Sequence, residues 1–186
     1  MPGGEIQTDA IVRHALGSGK QVFVPYLHKV PNPSPATPKS VMDMVDLRSL
    51  SDYDSLKRDA WGIPTIGTDT VDEREHILTK GVRPLDMILM PGVAFEIDSE
   101  DGSLKRLGHG KGFYDYFLHR YREIHKSQAQ ESALPGTDVL LYGLALEEQY
   151  LRAETGASVP VGVNDSPLHC LLLGDGTILE GSSANR

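Results

Sequence analysis

Two short apolar runs constrain the fold more than any other feature of the chain. MILM, at 87–90, is stopped by Pro91 and Gly92, and VLLYGLAL occupies 139–146. Each is far shorter than the ~18 residues a membrane span requires. Continuous runs of this length suit strands buried on both faces, and the first is expected to be a central strand. Between and around them lie helical patterns. TDAIVRHAL (8–16) reads as a helix that Thr8 can cap, with Asp9 at its positive end and Gly17 and Gly19 stopping it. From Phe113 the residues Phe113, Tyr116, Phe117, Tyr121 and Ile124 make one apolar stripe at helical spacing. Strands alternating with helices predict a three-layer α/β domain, with a mainly parallel central sheet flanked by helices, over residues 1–186 as a single domain.

The connecting segments read as follows. KQVFVPY is a short buried strand ended by Pro25, and VMDMVDL is a second strand. HKVPNPSPATPKS, with four prolines, is a loop. EIDSEDGSLKR is polar and turn-rich, and HKSQAQESALPGTD is a long polar loop. LEEQYL starts a short helix, and LHCLLLGDGTILEG is a hairpin turning at Gly174, Asp175 and Gly176.

The chain carries a formal net charge of -8, which disfavours a nucleic-acid surface but leaves room for a local pocket that holds one small anion. Its one cysteine, Cys170, excludes an intramolecular disulfide and fits a reducing compartment. The first twelve residues have no secretory pattern, and a soluble intracellular protein is expected by elimination. The histidines show no metal-ligand spacing.

One segment asks for a ligand. RLGHGKGFYD (106–115) places glycines at 108, 110 and 112 among Arg106, His109 and Lys111, directly before a predicted helix. Glycine is costly to order, so three in five residues suggest a close approach to the backbone. A helix N-terminus offers unpaired N–H groups and positive potential, and Arg106 and Lys111 add full charges. The whole reads as a phosphate cradle. Asp115, in the first turn, would be repelled by phosphates unless a cation lay between them, and Mg²⁺ is the natural choice. Taken singly, each residue has a plainer account: a tight turn, a solvated lysine, an acid complementing the helix dipole. The spacing G-x-G-x-G fits neither the dinucleotide fingerprint nor the Walker loop.

With LMPGVAF before it, and GLALEEQ and VPVGVNDSPL after it, RLGHGKGFYDYFL resembles the ordered signature blocks of the 5-formyltetrahydrofolate cyclo-ligase (methenyltetrahydrofolate synthetase) family. Weaker matches at GGEIQT, GKQVFVP, MDMV and WGIP extend the resemblance over nearly the whole chain. It implies closure of 5-formyltetrahydrofolate to 5,10-methenyltetrahydrofolate, with ATP as co-substrate and Mg²⁺ as cofactor. It further implies that Arg106, Leu107, Gly108, His109, Gly110, Lys111, Gly112, Phe113 and Tyr114 bind ATP, with Lys111 stabilising the transferring phosphoryl group. His109, Gly110, Lys111, Gly112 and Phe113 would also border the folate, together with Glu5 and Trp61. Asp115 and Asp165 would hold the metal. Without the resemblance, Glu5 reads as an exposed acid before a helix cap, Trp61 as core, and Asp165 as a turn residue.

The chain departs from the family pattern at its start. A helix and a first strand usually precede the point that Met1 matches, so an N-terminal truncation is expected. Two further readings stay open: a catalytically impaired folate- or nucleotide-binding form, and an unrelated phosphosugar-binding domain. A cytoplasmic monomer is expected, without membrane or nucleic-acid partners, or a mitochondrial protein if a missing N-terminus carries a presequence. Phe113 stands where the family often has tyrosine.

Overall fold

The computed structural model describes residues 6–32, 38–60, 62–132, 139–162 and 165–182. In chain order the elements are α1 (Asp9–Gly17), β1 (Val22–Lys29), β2 (Ser40–Leu47), α2 (Leu50–Ser55), β3 (Lys57–Arg58), β4 (Pro64–Thr65), β5 (Met87–Met90), β6 (Ala94–Ile97), β7 (Leu104–Leu107), α3 (Phe113–Ser132), β8 (Leu140–Ala145), β9 (Cys170–Leu173) and β10 (Ile178–Glu180). The protein is thus mixed α/β. Two compact units can be separated: residues 7–84 with 116–132, and residue 6 with 85–115 and 139–182, among those described.

The first unit is built on the antiparallel pair β1–β2, in register from Val22↔Leu47 to Lys29↔Ser40. The sequence suggested a buried strand ended by Pro25, but β1 runs through Pro25 to Lys29 and is half-buried to exposed along its length. Proline is tolerated because β1 has a ladder partner on one side only among the described residues, and an outward-facing position needs no N–H. The core gathers Val45, Leu47, Tyr53, Ile66 and Val71, with Val12 and Leu16 of α1 packed against it. Thr8 stands at the α1 cap position, yet its side chain makes no capping bond. Asp9 turns instead to Arg13 and to the Tyr53 hydroxyl, which donates to it at 2.9 Å. α2 escaped the sequence reading. Its Ser49 accepts from the Asp52 N–H, and the Asp52 carboxylate takes two bonds from the buried Arg74.

Most of α3 belongs to this unit. Its stripe is as expected, with Phe117 and Tyr121 buried. Arg120 pairs with Asp43 of β2 at 2.8 Å and donates to the Met42 carbonyl, while His28 of β1 meets the other Asp43 oxygen at 2.7 Å. The helix continues to Ser132, where the sequence suggested a loop from 125 onward. Lys, Gln, Ala and Glu are good helix formers, and neither Gly nor Pro interrupts them before Pro135. The rest of that expected loop, and 33–37 of the proline-rich one, lie outside the described residues.

The second unit carries a four-stranded sheet in the order β10-β9-β8-β5. β5–β8 and β8–β9 are parallel, and β9–β10 is the expected antiparallel hairpin. The sheet is therefore mixed, and the other three strand pairs among the described residues are antiparallel. β5, expected to be central, pairs with β8 alone among the described residues, and Met87 at its start is 47% exposed. β8 and β9 are the interior strands among the described residues, and Gly143 lies in β8 because a Cβ there would stand within 2.9 Å of Phe95, Leu168 and Leu171 side chains.

The segment read as polar and turn-rich forms most of the β6–β7 hairpin. Asp98 and Asp101 take backbone N–H groups at its tip, and Phe95 and Leu104 are fully buried. Its outer bonds run from the Leu151 N–H to the Phe95 carbonyl and from the Leu168 N–H to the Leu104 carbonyl. LEEQYL contributes a single 3₁₀ turn, Glu147–Gln149. No helix among the described residues is long and apolar enough to cross a membrane.

Candidate functional site

The site grows from the end of β7. Phe95 fills the core beneath it, and Gly92 is small because a Cβ would come within 2.6 Å of the Phe95 ring and 3.0 Å of the Arg106 stem. The backbone of 91–92 thereby forms a seat for Arg106. That seat is pinned from two sides. The Val93 N–H donates to the Leu107 carbonyl at 2.7 Å, and Gln149 Nε2 donates to the Gly92 carbonyl at 2.7 Å. Gln149 is itself held by the Leu146 N–H through its Oε1. It is a positioning residue that residue-by-residue reasoning missed. The only sequence signal was that LMPG and LEEQ both belong to recognisable blocks.

Arg106 lies almost wholly buried along this seat. Its Nη2 meets both oxygens of Asp115, at 3.1 and 3.2 Å, its Nη1 donates to the Pro91 carbonyl at 3.2 Å, and its guanidinium lies 5.7 Å from the Tyr114 ring centre. Strand end and first helical turn are thus joined by one ion pair, across a loop whose backbone turns twice through positive φ, at Gly110 (76°) and Gly112 (62°). Nothing lies within 4 Å of a Cβ built on either, so these glycines serve conformation and leave the space above them open. Gly108 differs. Its φ is not positive, and a Cβ there would lie 2.9 Å from Arg106 Nη1.

Of the residues expected in a site, the structure brings together Arg106, Gly108, Tyr114 and Asp115. His109, Gly110, Lys111 and Gly112 are exposed on the loop between them, and Leu107 and Phe113 flank it half-buried. Asp165 is exposed in a separate turn, where its carboxylate accepts from the Gly162 N–H at 2.6 Å. Glu5 and Trp61 lie outside the described residues. Among the described residues no three of His, Cys, Asp and Glu gather closely enough to hold a metal ion by themselves.

Chemically, the arrangement presents two cationic side chains, an exposed loop of unhindered backbone and one carboxylate at the start of a 20-residue helix. That combination suits a polyanion bound with a hard cation. Comparison with known proteins identifies the family. The profile of the 5-formyltetrahydrofolate cyclo-ligase family matches residues 1–173. A Caenorhabditis elegans protein, named probable 5-formyltetrahydrofolate cyclo-ligase, is 34% identical over 180 residues, covering 97% of this chain and 69% of that one. The 5-formyltetrahydrofolate cyclo-ligase of Saccharomyces cerevisiae is 29% identical over 185 residues, 96% of this chain and 74% of its own. A mitochondrial relative of that name from Arabidopsis thaliana is 27% identical over 179 residues, 94% of this chain and 56% of its own.

Proposed function

Because the chain belongs to the 5-formyltetrahydrofolate cyclo-ligase family, we propose that it closes 5-formyltetrahydrofolate to 5,10-methenyltetrahydrofolate at the expense of ATP, with Mg²⁺ as cofactor. The observation that carries the reading is Arg106 to Asp115: cation, three glycines, cation and carboxylate in one unbroken stretch at a helix start.

The chemistry explains why such a stretch is needed. The formyl oxygen of an N-formyl group is a poor leaving group. Transfer of the γ-phosphoryl group of ATP to that oxygen breaks the bond to the β-phosphate bridge and releases ADP. N10 then attacks the activated carbon and loses its proton, the C–O bond breaks, phosphate departs, and the amidinium ring is left closed. Protein groups have to hold two anionic reactants in line and offset charge on the moving phosphoryl. In this reading the loop from Arg106 to Tyr114 lies along the phosphates. Lys111, exposed on a long flexible stem, reaches the transferring group, and Phe113 borders the folate with His109, Gly110 and Gly112. Glu5 and Trp61 are proposed to complete the pterin side.

The donor set fits Mg²⁺. Mg²⁺ is commonly held by one or two carboxylates, with substrate phosphates and water supplying the remaining oxygens; here Asp115 offers one carboxylate beside the loop, and Asp165, in a separate turn, is proposed as the second. When bound, the ion would neutralise charge on the β- and γ-phosphates. A cytoplasmic monomer is the working form in this reading, and the single buried cysteine suits a reducing compartment.

The test is turnover of 5-formyltetrahydrofolate by the purified chain with ATP and Mg²⁺, followed by methenyltetrahydrofolate absorbance. Lys111→Ala is expected to lower kcat by roughly 10²–10³, the usual effect of removing one group that meets transition-state charge. A cooperatively melting chain with no turnover would exclude the reading, leaving a binding protein.

A further inference from the structure

Arg106 has surroundings that phosphate binding alone leaves unexplained. Its side chain is only 6% exposed, yet its grip on Asp115 is poor. One nitrogen, Nη2, spans both carboxylate oxygens at 3.1 and 3.2 Å, and Nη1 reaches only a backbone carbonyl, at 3.2 Å. Good arginine–carboxylate pairs use two nitrogens in a fork, at about 2.7–2.9 Å. The same chain contains such a pair: Arg74 Nη1 and Nη2 each hold one Asp52 oxygen at 2.7 Å, and Nη1 also donates to the Asp46 carbonyl at 2.8 Å. The Nε atoms of both arginines are buried without a hydrogen bond, so that atom does not separate the two pairs. Bond length and the one-nitrogen grip do. Arg74 is built to stay; Arg106 is built to exchange.

We propose that Arg106 is a specificity-determining residue acting as an exchangeable counter-ion: it occupies the Asp115 carboxylate until a triphosphate and a divalent cation arrive together. This inference rests on the reading of Asp115 as a metal ligand. A bare cation seeking Asp115 must displace a buried guanidinium that then has no anion, which is costly. A bare triphosphate that draws Arg106 away leaves Asp115 uncompensated beside more negative charge. Only the two together satisfy both side chains, so the site prefers the metal–triphosphate complex to either component. Gly108 belongs to the device. A Cβ there would stand 2.9 Å from Nη1, so alanine crowds the guanidinium without straining the backbone.

The discriminating measurement uses Mn²⁺ as a paramagnetic probe, titrated into the full chain without nucleotide and followed by the resonance signal of unbound Mn²⁺. Wild type is expected to bind Mn²⁺ weakly. Arg106→Gln should bind it about tenfold more tightly, within the usual range of coupling between two sites. Adding Asp115→Asn to that variant should abolish the gain. Gly108→Ala should move in the same direction by less. With a non-hydrolysable ATP analogue present, wild type should gain more Mn²⁺ affinity than Arg106→Gln does. Equal Mn²⁺ binding by wild type and folded Arg106→Gln, with nucleotide-dependent binding lost in Asp115→Asn, overturns the counter-ion role and leaves the metal reading standing. Nucleotide-dependent binding that survives Asp115→Asn overturns both. If circular dichroism shows Arg106→Gln unfolded, Gly108→Ala decides, and no gain there overturns the proposal.

Discussion

Gly108, Gly110 and Gly112 are spaced evenly but answer different needs. The first leaves room for a guanidinium, and the other two supply left-handed backbone in open surroundings. Alanine at Gly112 meets no neighbouring atom, so its whole cost is conformational, roughly 1 kcal/mol. Gly112→Ala is therefore expected to raise the KM for ATP by reshaping the loop, with little change in melting temperature. Steady-state kinetics beside a thermal melt would check this; an unchanged KM would mean that the phosphates do not lie on the loop. At this scale the sequence showed what is contiguous. Arg106 through Asp115 could be read as one unit because the residues are neighbours in the chain. Gln149 could not, because its bond to the Gly92 carbonyl joins positions far apart in sequence. Nor could the Asp52–Arg74 pair, which exists only once α2 has folded against the segment that carries Arg74.

α3 shows what periodicity can and cannot reveal in an element. Its start and buried face followed from the spacing of Phe113, Phe117 and Tyr121, and Phe117 is fully buried in tilted contact with Tyr121, ring centres 5.9 Å apart. Its length did not follow, because a polar helical segment and a polar loop have similar composition. Six-residue α2 is too short for a stripe, and its one signal was the Ser49–Asp52 cap spacing. The helix is held by its apolar face. Phe117→Ala should cost about 3–5 kcal/mol, the usual range for deleting a buried aromatic ring. Urea unfolding would register that as a lower midpoint with an unchanged slope. A loss under about 1 kcal/mol would show that the site can collapse around the cavity.

For the molecule as a whole, acid is the informative variable. The Tyr53 hydroxyl and then Arg13 hold Asp9 below the usual carboxylate range, and Arg74 does the same for Asp52. In the other unit Lys105 lowers Asp98, the Ser103 hydroxyl and N–H lower Asp101, and the Thr177 N–H and hydroxyl lower Asp175. A carboxyl depressed on folding adds stability at pH values above its unfolded pKa, about 3.9, and loses that contribution as pH falls through the folded value. Melting temperature should therefore hold level with respect to these groups down to about pH 4 and fall below it. A melting temperature that stays level to pH 2.5 would contradict the pairing. Lys105 works in the opposite sense: Asp98 raises its pKa, so its contribution fades only at strongly alkaline pH. Strand order is the whole-molecule feature that the sequence hid. The apolar run of β5 reads as central, yet which strands become neighbours is decided by pairing between distant segments, and β8 and β9 take the interior places among the described residues.

Pro25 has a bearing on how the protein behaves in a crowded solution. A strand with one ladder partner, as β1 has among the described residues, offers its other edge to any extended chain that drifts by, and such edges seed intermolecular sheets. In the middle of β1 that invitation is interrupted by a residue with no hydrogen to donate. The same proline that disguised the strand in the sequence makes its edge a poor template for aggregation.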